Sequence, residues 1–231
     1  MDNKVALITG GSRGLGYSLS KHLLMNRWNV IVDSRNADGM FDKVKAEFGR
    51  LGNAVCISGD ISDEEHVAQI ANAVKSYGHL DLLINNASSL GVTPLPSLFD
   101  YPIKSLIEVY RVNVFAPLTI IQSVRPYLKN KSILINITSD AGVESYPNWG
   151  GYGSSKAALE HISATLKTEN EDLIVYWVDP GDMQTKMKQD SSPEDDISNL
   201  PLPEEVVPGF FQLIDGKLPS GRYKAQDLIE N

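Results

Sequence analysis

The sequence predicts one α/β domain over residues 1–231, built on a doubly wound parallel sheet. Three observations predict it. Short apolar, β-branched runs alternate with longer stretches of helical period. The runs are apolar throughout, as in strands covered on both faces. A glycine-rich turn directly follows the first run. Right-handed crossovers between such strands give a Rossmann-type layout, with ligands at the carboxyl ends of the strands.

The elements follow in order. Residues 5–8 (VALI) read as the first strand and precede a helix near 14–27; 30–32 read as the second and precede a helix near 38–51. The run 54–57 precedes a helix over 63–78, and 80–84 precedes one long helix near 103–128. The run 132–137 precedes a helix over 151–169, 173–178 is the next strand, and 221–225 reads as a reduced final strand. No repeat and no interdomain linker interrupts the series. The one break in composition is 190–208, rich in Asp, Glu, Ser and Pro, which reads as a mobile loop. It serves either as a solvated connector or as a lid over substrate.

With 231 residues, 42% of them hydrophobic, the chain can bury a full core. A net charge of −8 argues against nucleic acid or an anionic membrane as partner, because phosphate binding needs clustered Lys and Arg. No stretch is long and apolar enough to span a bilayer. MDNKVALITGG lacks the basic-then-apolar form of a secretory signal, so a cytoplasmic protein is expected. The single Cys56, in NAVCIS, reads as a buried strand thiol. His22, His66, His79 and His161 lie in helical segments without ligand spacing, so no metal site is expected.

Two motifs carry chemistry. Thr9-Gly10-Gly11-Ser12-Arg13-Gly14-Leu15-Gly16 joins the first strand to the first helix. Its glycines let the backbone turn tightly against a pyrophosphate, and free helix N–H groups favour anionic oxygens. Tyr152 and Lys156 lie one helical turn apart in GGYGSSKAALEHI. A free phenol titrates near ~10, and a neighbouring cation stabilises phenolate and shifts that value toward neutrality.

The spacing TGxxxGxG, Asn85-Asn86-Ala87, Asn113, and Ser139 thirteen residues before Tyr152-xxx-Lys156 together resemble the short-chain dehydrogenase/reductases over residues 4 to about 187. The resemblance implies an oxidoreductase acting on a carbonyl or alcohol with a nicotinamide dinucleotide. Gly10, Gly14 and Gly16, with Leu15 between the last two, would form the phosphate turn, and Ser12 and Arg13 would line its adenosine side. Asp60 would bind the adenine amine, with Ile61 beside the ring. Asn86 and Ala87 would run beneath the ribose, and Ser88 replaces the Gly usual in that motif. Pro180, Gly181, Met183 and Thr185 match the PGxxxT segment that holds the carboxamide.

By the same resemblance Tyr152 exchanges the proton and Ser139 binds the substrate oxygen. Lys156 lowers the tyrosine pKa and binds the nicotinamide ribose. Asn113 would break its helix locally and hold a water that relays protons to Lys156. Neutral Ser34 stands where NAD users of the family carry an acid, and Arg35 follows it. With Arg13 it could grip a 2′-phosphate, which favours NADPH. Asp33 reaching the ribose would favour NADH instead.

Tyr146, Trp149, Met183 and Met187 suggest a pocket for an apolar or aromatic ketone or aldehyde, and Asp140 and Glu144 would disfavour anions. Outer positions Val109, Val112, Phe115, Leu159 and Ile162 suggest pairing into a homodimer or homotetramer. The expectation is thus an NADPH-dependent carbonyl reductase. The alternatives are an alcohol dehydrogenase running oxidatively and a dinucleotide-binding redox sensor without turnover.

Overall fold

The apolar runs become strands because helices cover both of their faces. The computed structural model describes residues 3–35 and 39–229. In chain order its elements are β1 (Val5–Ile8), α1 (Gly14–Met25), β2 (Asn29–Ser34), α2 (Met40–Leu51), β3 (Ala54–Ser58), α3 (Glu64–Tyr77) and β4 (Leu80–Asn85). There follow α4 (Ile103–Tyr110), a π-helical turn (Arg111–Phe115), α5 (Ala116–Val124), β5 (Leu128–Ile137) and α6 (Gly150–Glu169). The chain ends with β6 (Ile174–Asp179), α7 (Lys186–Ser191), α8 (Pro203–Ile214) and β7 (Gly221–Lys224). The start of the second helix expected at residue 38 lies outside the described residues.

The strands pair in parallel in the order β3-β2-β1-β4-β5-β6-β7. β1 lies between β2 and β4, with Ala6 opposite Val30 on one side and Leu82 on the other. Strand order reverses there, which opens a crevice at the carboxyl ends. Side chains alternate across the sheet, so each face has its own core. Ala6, Ile8, Val32 and Ile84 pack with Leu19 of α1, Phe48 of α2 and Phe210 of α8. Leu7, Ile31 and Leu83 pack with Ile70 of α3 and Ile120 of α5. α3 is bounded by Asp63, whose carboxylate accepts the Glu65 N–H, and by left-handed Gly78.

Two expectations are corrected. The single long helix over 103–128 is α4, a π turn and α5, and Leu128 already belongs to β5. The extra residue of the π turn is accommodated because Asn113 is held from outside its own helix, as described below. The stretch 190–208 is not one loop: 190–191 end α7 and 203–208 begin α8. Acidic residues and prolines hid that helix. Pro203 suits a first turn, Glu204 and Glu205 suit its positive end, and the Glu205 carboxylate accepts the Leu202 N–H at 2.6 Å. Buried Val206, Val207, Phe210 and Leu213 supply the apolar face. Only 192–202 lacks helix and strand.

Candidate active site

The ends of β1 and β4, which border the crevice, carry the glycine turn and the Asn85-Asn86-Ala87 segment. Thr9 and Gly10 follow β1, and Asn86 and Ala87 follow β4. The Thr9 hydroxyl oxygen accepts the N–H groups of Asn86 and Ala87, both at 3.0 Å. The Asn86 side-chain amide donates to the carbonyls of Thr9 and Gly10 at 2.9 and 3.1 Å. These bonds draw the two turns so close that a Cβ on Gly16 would lie 2.4 Å from Asn86 Nδ2 and 2.5 Å from the Gly10 carbonyl. Gly10 also has φ +70°, a left-handed conformation that favours glycine. Arg13 flanks the start of α1 without capping it by its side chain, so the first N–H groups of the helix face the crevice mouth. Leu15 is buried beneath this turn, so only its main chain faces outward. The cradle therefore fits a pyrophosphate: narrow, built of main-chain donors and closed to side chains.

At the adenosine corner Arg13 and Arg35 are exposed, and the Ser34 hydroxyl donates to Ser12 Oγ at 2.8 Å. Partial burial raises the Asp60 carboxyl, but hydrogen bonds from Ser62 and the charges of Arg35 and Arg111 outweigh it, leaving Asp60 below its ordinary value. Ile61 is buried beside it. Asp33 does not point to this corner. One of its oxygens accepts the Gly10 N–H at 3.0 Å, and the other meets His66 Nε2 at 2.9 Å. Both side chains are sealed from solvent. Sequence reasoning left His66 among scattered helical histidines, and its partner lies on another element. Among the described residues, no group of three potential ligands is placed to hold a metal.

The chemical end is built on β5 and α6. Tyr152 and Lys156 are both buried, with the Lys156 Nζ 5.5 Å from the phenol ring centre. Trp149 packs edge-on against Tyr152 at 5.8 Å between ring centres. The Lys156 ammonium donates to the Ile137 carbonyl at 2.8 Å. Burial pushes the Tyr152 phenol above the ordinary tyrosine range, while the Ser88 and Ser139 hydroxyls beside it pull the other way. Burial pushes Lys156 down to about 7. In this structure burial is the largest influence on both groups. Two groups withdrawn from water each favour the neutral form, and the lysine spends its hydrogen bond on a main-chain carbonyl.

Ser139 follows β5 and caps a short turn, donating to Asp140 Oδ1 at 2.9 Å and accepting the Ala141 N–H at 3.2 Å. Asn113 is fully buried in the π turn. Its amide nitrogen donates to the Ser89 carbonyl and to Ser155 Oγ, each at 2.9 Å, and its oxygen accepts the Ser89 N–H at 2.8 Å. Ser155 in turn donates to the Tyr152 carbonyl at 2.6 Å. The local break in the helix is present, but the side-chain amide is committed to protein groups. A relay water would have to be held by main-chain groups.

Beyond β6, left-handed Gly181 donates its N–H to Asp179 Oδ1 at 2.8 Å, Met183 is buried, and Thr185 caps α7. The Thr185 methyl lies 3.6 Å from where a Gly14 Cβ would be, so PGxxxT closes over the glycine turn. A cavity of about 380 Å³ opens between Ser139, Tyr152, Tyr146, Trp149, Met183 and Met187. Of its lining charges Lys188 meets Asp182 at 2.8 Å, and the Asp140 carboxylate accepts hydrogen bonds from the Tyr146 and Ser139 hydroxyls.

Sequence reasoning also missed Arg222 of β7. It donates to the Ser139 carbonyl at 3.2 Å and to Glu160 at 3.0 Å, and Glu160 also accepts the Thr138 hydroxyl. No helical or glycine signal marks such a residue. Of the presumed outer positions, Val109 and Leu159 are buried within the chain, while Phe115 is exposed. Cys56 is half-buried in β3, and that burial raises its thiol pKa.

A family model described as short chain dehydrogenase matches residues 4–196. Over 224 residues the chain is 30% identical to a rhamnolipids biosynthesis 3-oxoacyl-[acyl-carrier-protein] reductase of Pseudomonas aeruginosa, covering 88% of this chain and 86% of that one. It is 28% identical over 237 residues to a diacetyl reductase [(S)-acetoin forming] of Staphylococcus epidermidis, covering 99% and 89%. A short chain dehydrogenase of Escherichia coli, crystallised with NADPH, superposes with a TM-score of 0.89 at 24% identity, covering 98% of each chain.

Proposed function

Because the chain belongs to the short chain dehydrogenase family of oxidoreductases, we propose that it is an NADPH-dependent reductase of ketones or aldehydes. The observation that carries this reading is that Ser139 and Tyr152 line one cavity at the carboxyl ends of the strands, with Lys156 buried one helical turn from Tyr152. Gly10, Gly14 and Gly16 would hold the pyrophosphate, Asp60 and Ile61 the adenine, and Asn86, Ala87 and Lys156 the riboses. Pro180, Gly181, Met183 and Thr185 would hold the carboxamide. When bound, the dinucleotide supplies the hydride.

The chain's own groups manage the proton and the oxyanion. A phenol held neutral by burial keeps its proton at working pH, as a donor must. Ser139 and Tyr152 would together hydrogen-bond the substrate oxygen as charge develops on it. Lys156, titrating at about 7, is suited to return a proton to Tyr152 through a water held in the π turn.

NADPH rather than NADH is supported by the charge of the adenosine corner. Arg13, Arg35, Ser12 and Ser34 face it, and Asp33 is turned inward. The 3-oxoacyl and diacetyl reductase relatives support the reductive direction, and the fold neighbour crystallised with NADPH supports the choice of dinucleotide. The cavity, which sets the carboxylates of Asp140, Asp179 and Asp182 against the ammonium of Lys188, suits a neutral substrate better than an anion. Among the described residues no helix is long and apolar enough to cross a membrane. We place the enzyme in the cytoplasm as a homodimer, for which exposed Ile103, Ile107 and Phe115 of α4 and the π turn give support.

The sensor reading requires a site without a working proton donor, and Tyr152 and Lys156 are both present. NADPH consumption measured across diketones, aldehydes, quinones and sugars separates the two. Turnover of neutral carbonyls is expected. NADPH binding with no turnover on any member would favour the sensor.

A further inference from the structure

We propose that His66 is a specificity-determining positioning residue, which selects NADPH by holding the Asp33 carboxylate inside the fold, away from the 2′ end of the dinucleotide. The inference rests on the NADPH reading above and adds to it a residue that never touches the cofactor.

Asp33 is the last residue but one of β2, beside the corner where an acid would bind ribose hydroxyls and repel a phosphate. Its carboxylate instead bridges two inward donors, the Gly10 N–H at 3.0 Å and His66 Nε2 at 2.9 Å. Asp33 is 1% exposed and His66 3%. A carboxylate so buried is retained only when its oxygens are matched by donors. His66 stands on the inner face of α3 with Val67 and Ile70, which are also buried. Its ring fills the space over Gly59, where a Cβ would lie 2.1 Å from Nδ1. One imidazole thus ties α3, the end of β2, the phosphate turn and the Gly59-Asp60 turn together.

Without the imidazole, Asp33 keeps a single donor among the described residues, the Gly10 N–H that lines the phosphate turn. The carboxylate regains water by turning toward the cofactor corner. There it offers ribose hydroxyls an acceptor and meets a 2′-phosphate with like charge. The selectivity arises from an acid kept out of the corner as much as from the arginines present in it.

The test is calorimetric titration of NADP+ and NAD+ into the full chain free of nucleotide, so the readout is affinity rather than turnover. His66→Leu is expected to weaken NADP+ by roughly tenfold or more while NAD+ is unchanged or tighter. His66→Gln keeps a donor for Asp33 and should keep the wild-type ratio. Adding Asp33→Asn to His66→Leu should restore NADP+. If His66→Leu fails to fold, His66→Asn, too short to reach Asp33, takes its place. An unchanged ratio of the two affinities, including equal weakening of both, overturns the proposal, as does failure of Asp33→Asn to restore the ratio. A wild-type chain that prefers NAD+ would refute the NADPH reading alone, because the His66 test reads the change in ratio between wild type and variant.

Discussion

Lys156 carries a pH signature that no surface lysine shares. Its folded value is about 7 and its ordinary value 10.5. Between these the unfolded chain binds a proton that the folded chain does not, so stability rises with pH across this window. Below about 7 the full cost of a buried ammonium is present; it is relieved as pH climbs. Lys156→Met removes that dependence. Measured without dinucleotide, the variant should exceed wild type most at or below pH 7. Its advantage should shrink by roughly 2–3 kcal/mol between pH 7 and 9. A difference in melting temperature that stays constant over that range would contradict the burial argument. Tyr152, Lys156, Ser139 and Asn113 were legible in the sequence because their spacings are local or motif-bound. The pairing of His66 with Asp33 was not, because 33 residues separate them and only the β2–α3 packing brings them together. The electrostatic balance of the pair Tyr152–Lys156 was illegible for a similar reason: spacing reports proximity, and burial decides which form is favoured.

At the scale of elements, one four-residue edge strand has a consequence out of proportion to its length. β7 spans only Gly221–Lys224, yet its Arg222 braces the Ser139 carbonyl and pairs with a mostly buried Glu160. Arg222→Met should leave dinucleotide affinity intact while lowering kcat, and should cost about 1 kcal/mol in urea unfolding, the partial exposure of the arginine limiting the figure. Unaltered turnover in a folded variant would make β7 a structural edge only. The strands and most helices were legible from apolar runs and helical period. α8 was not: its prolines and glutamates are signals of turns, and only its packing on α1 and the sheet reveals the apolar face of Val206, Val207 and Phe210. The π turn was legible only as a position for Asn113, because an extra residue in a helix leaves no mark in periodicity.

For the molecule as a whole, strand order explains why the site lies where it does. The reversal between β2-β1 and β4-β5 opens the crevice, and the glycine turn, Asn86 and Ala87 stand at the strand ends that border it. Ile103 and Ile107 of α4 and Phe115 of the π turn are exposed. Light scattering is expected to give a dimer, and Phe115→Asp to shift it toward monomer; a wild-type monomer at all concentrations would remove that expectation. The central claim, that Tyr152 passes the proton within this cavity, is tested most directly by Tyr152→Phe, with NADPH affinity and carbonyl turnover measured on the same preparation. The account predicts unchanged affinity and turnover lower by roughly 10²–10⁴. Turnover close to wild type, with NADPH still bound, would contradict it.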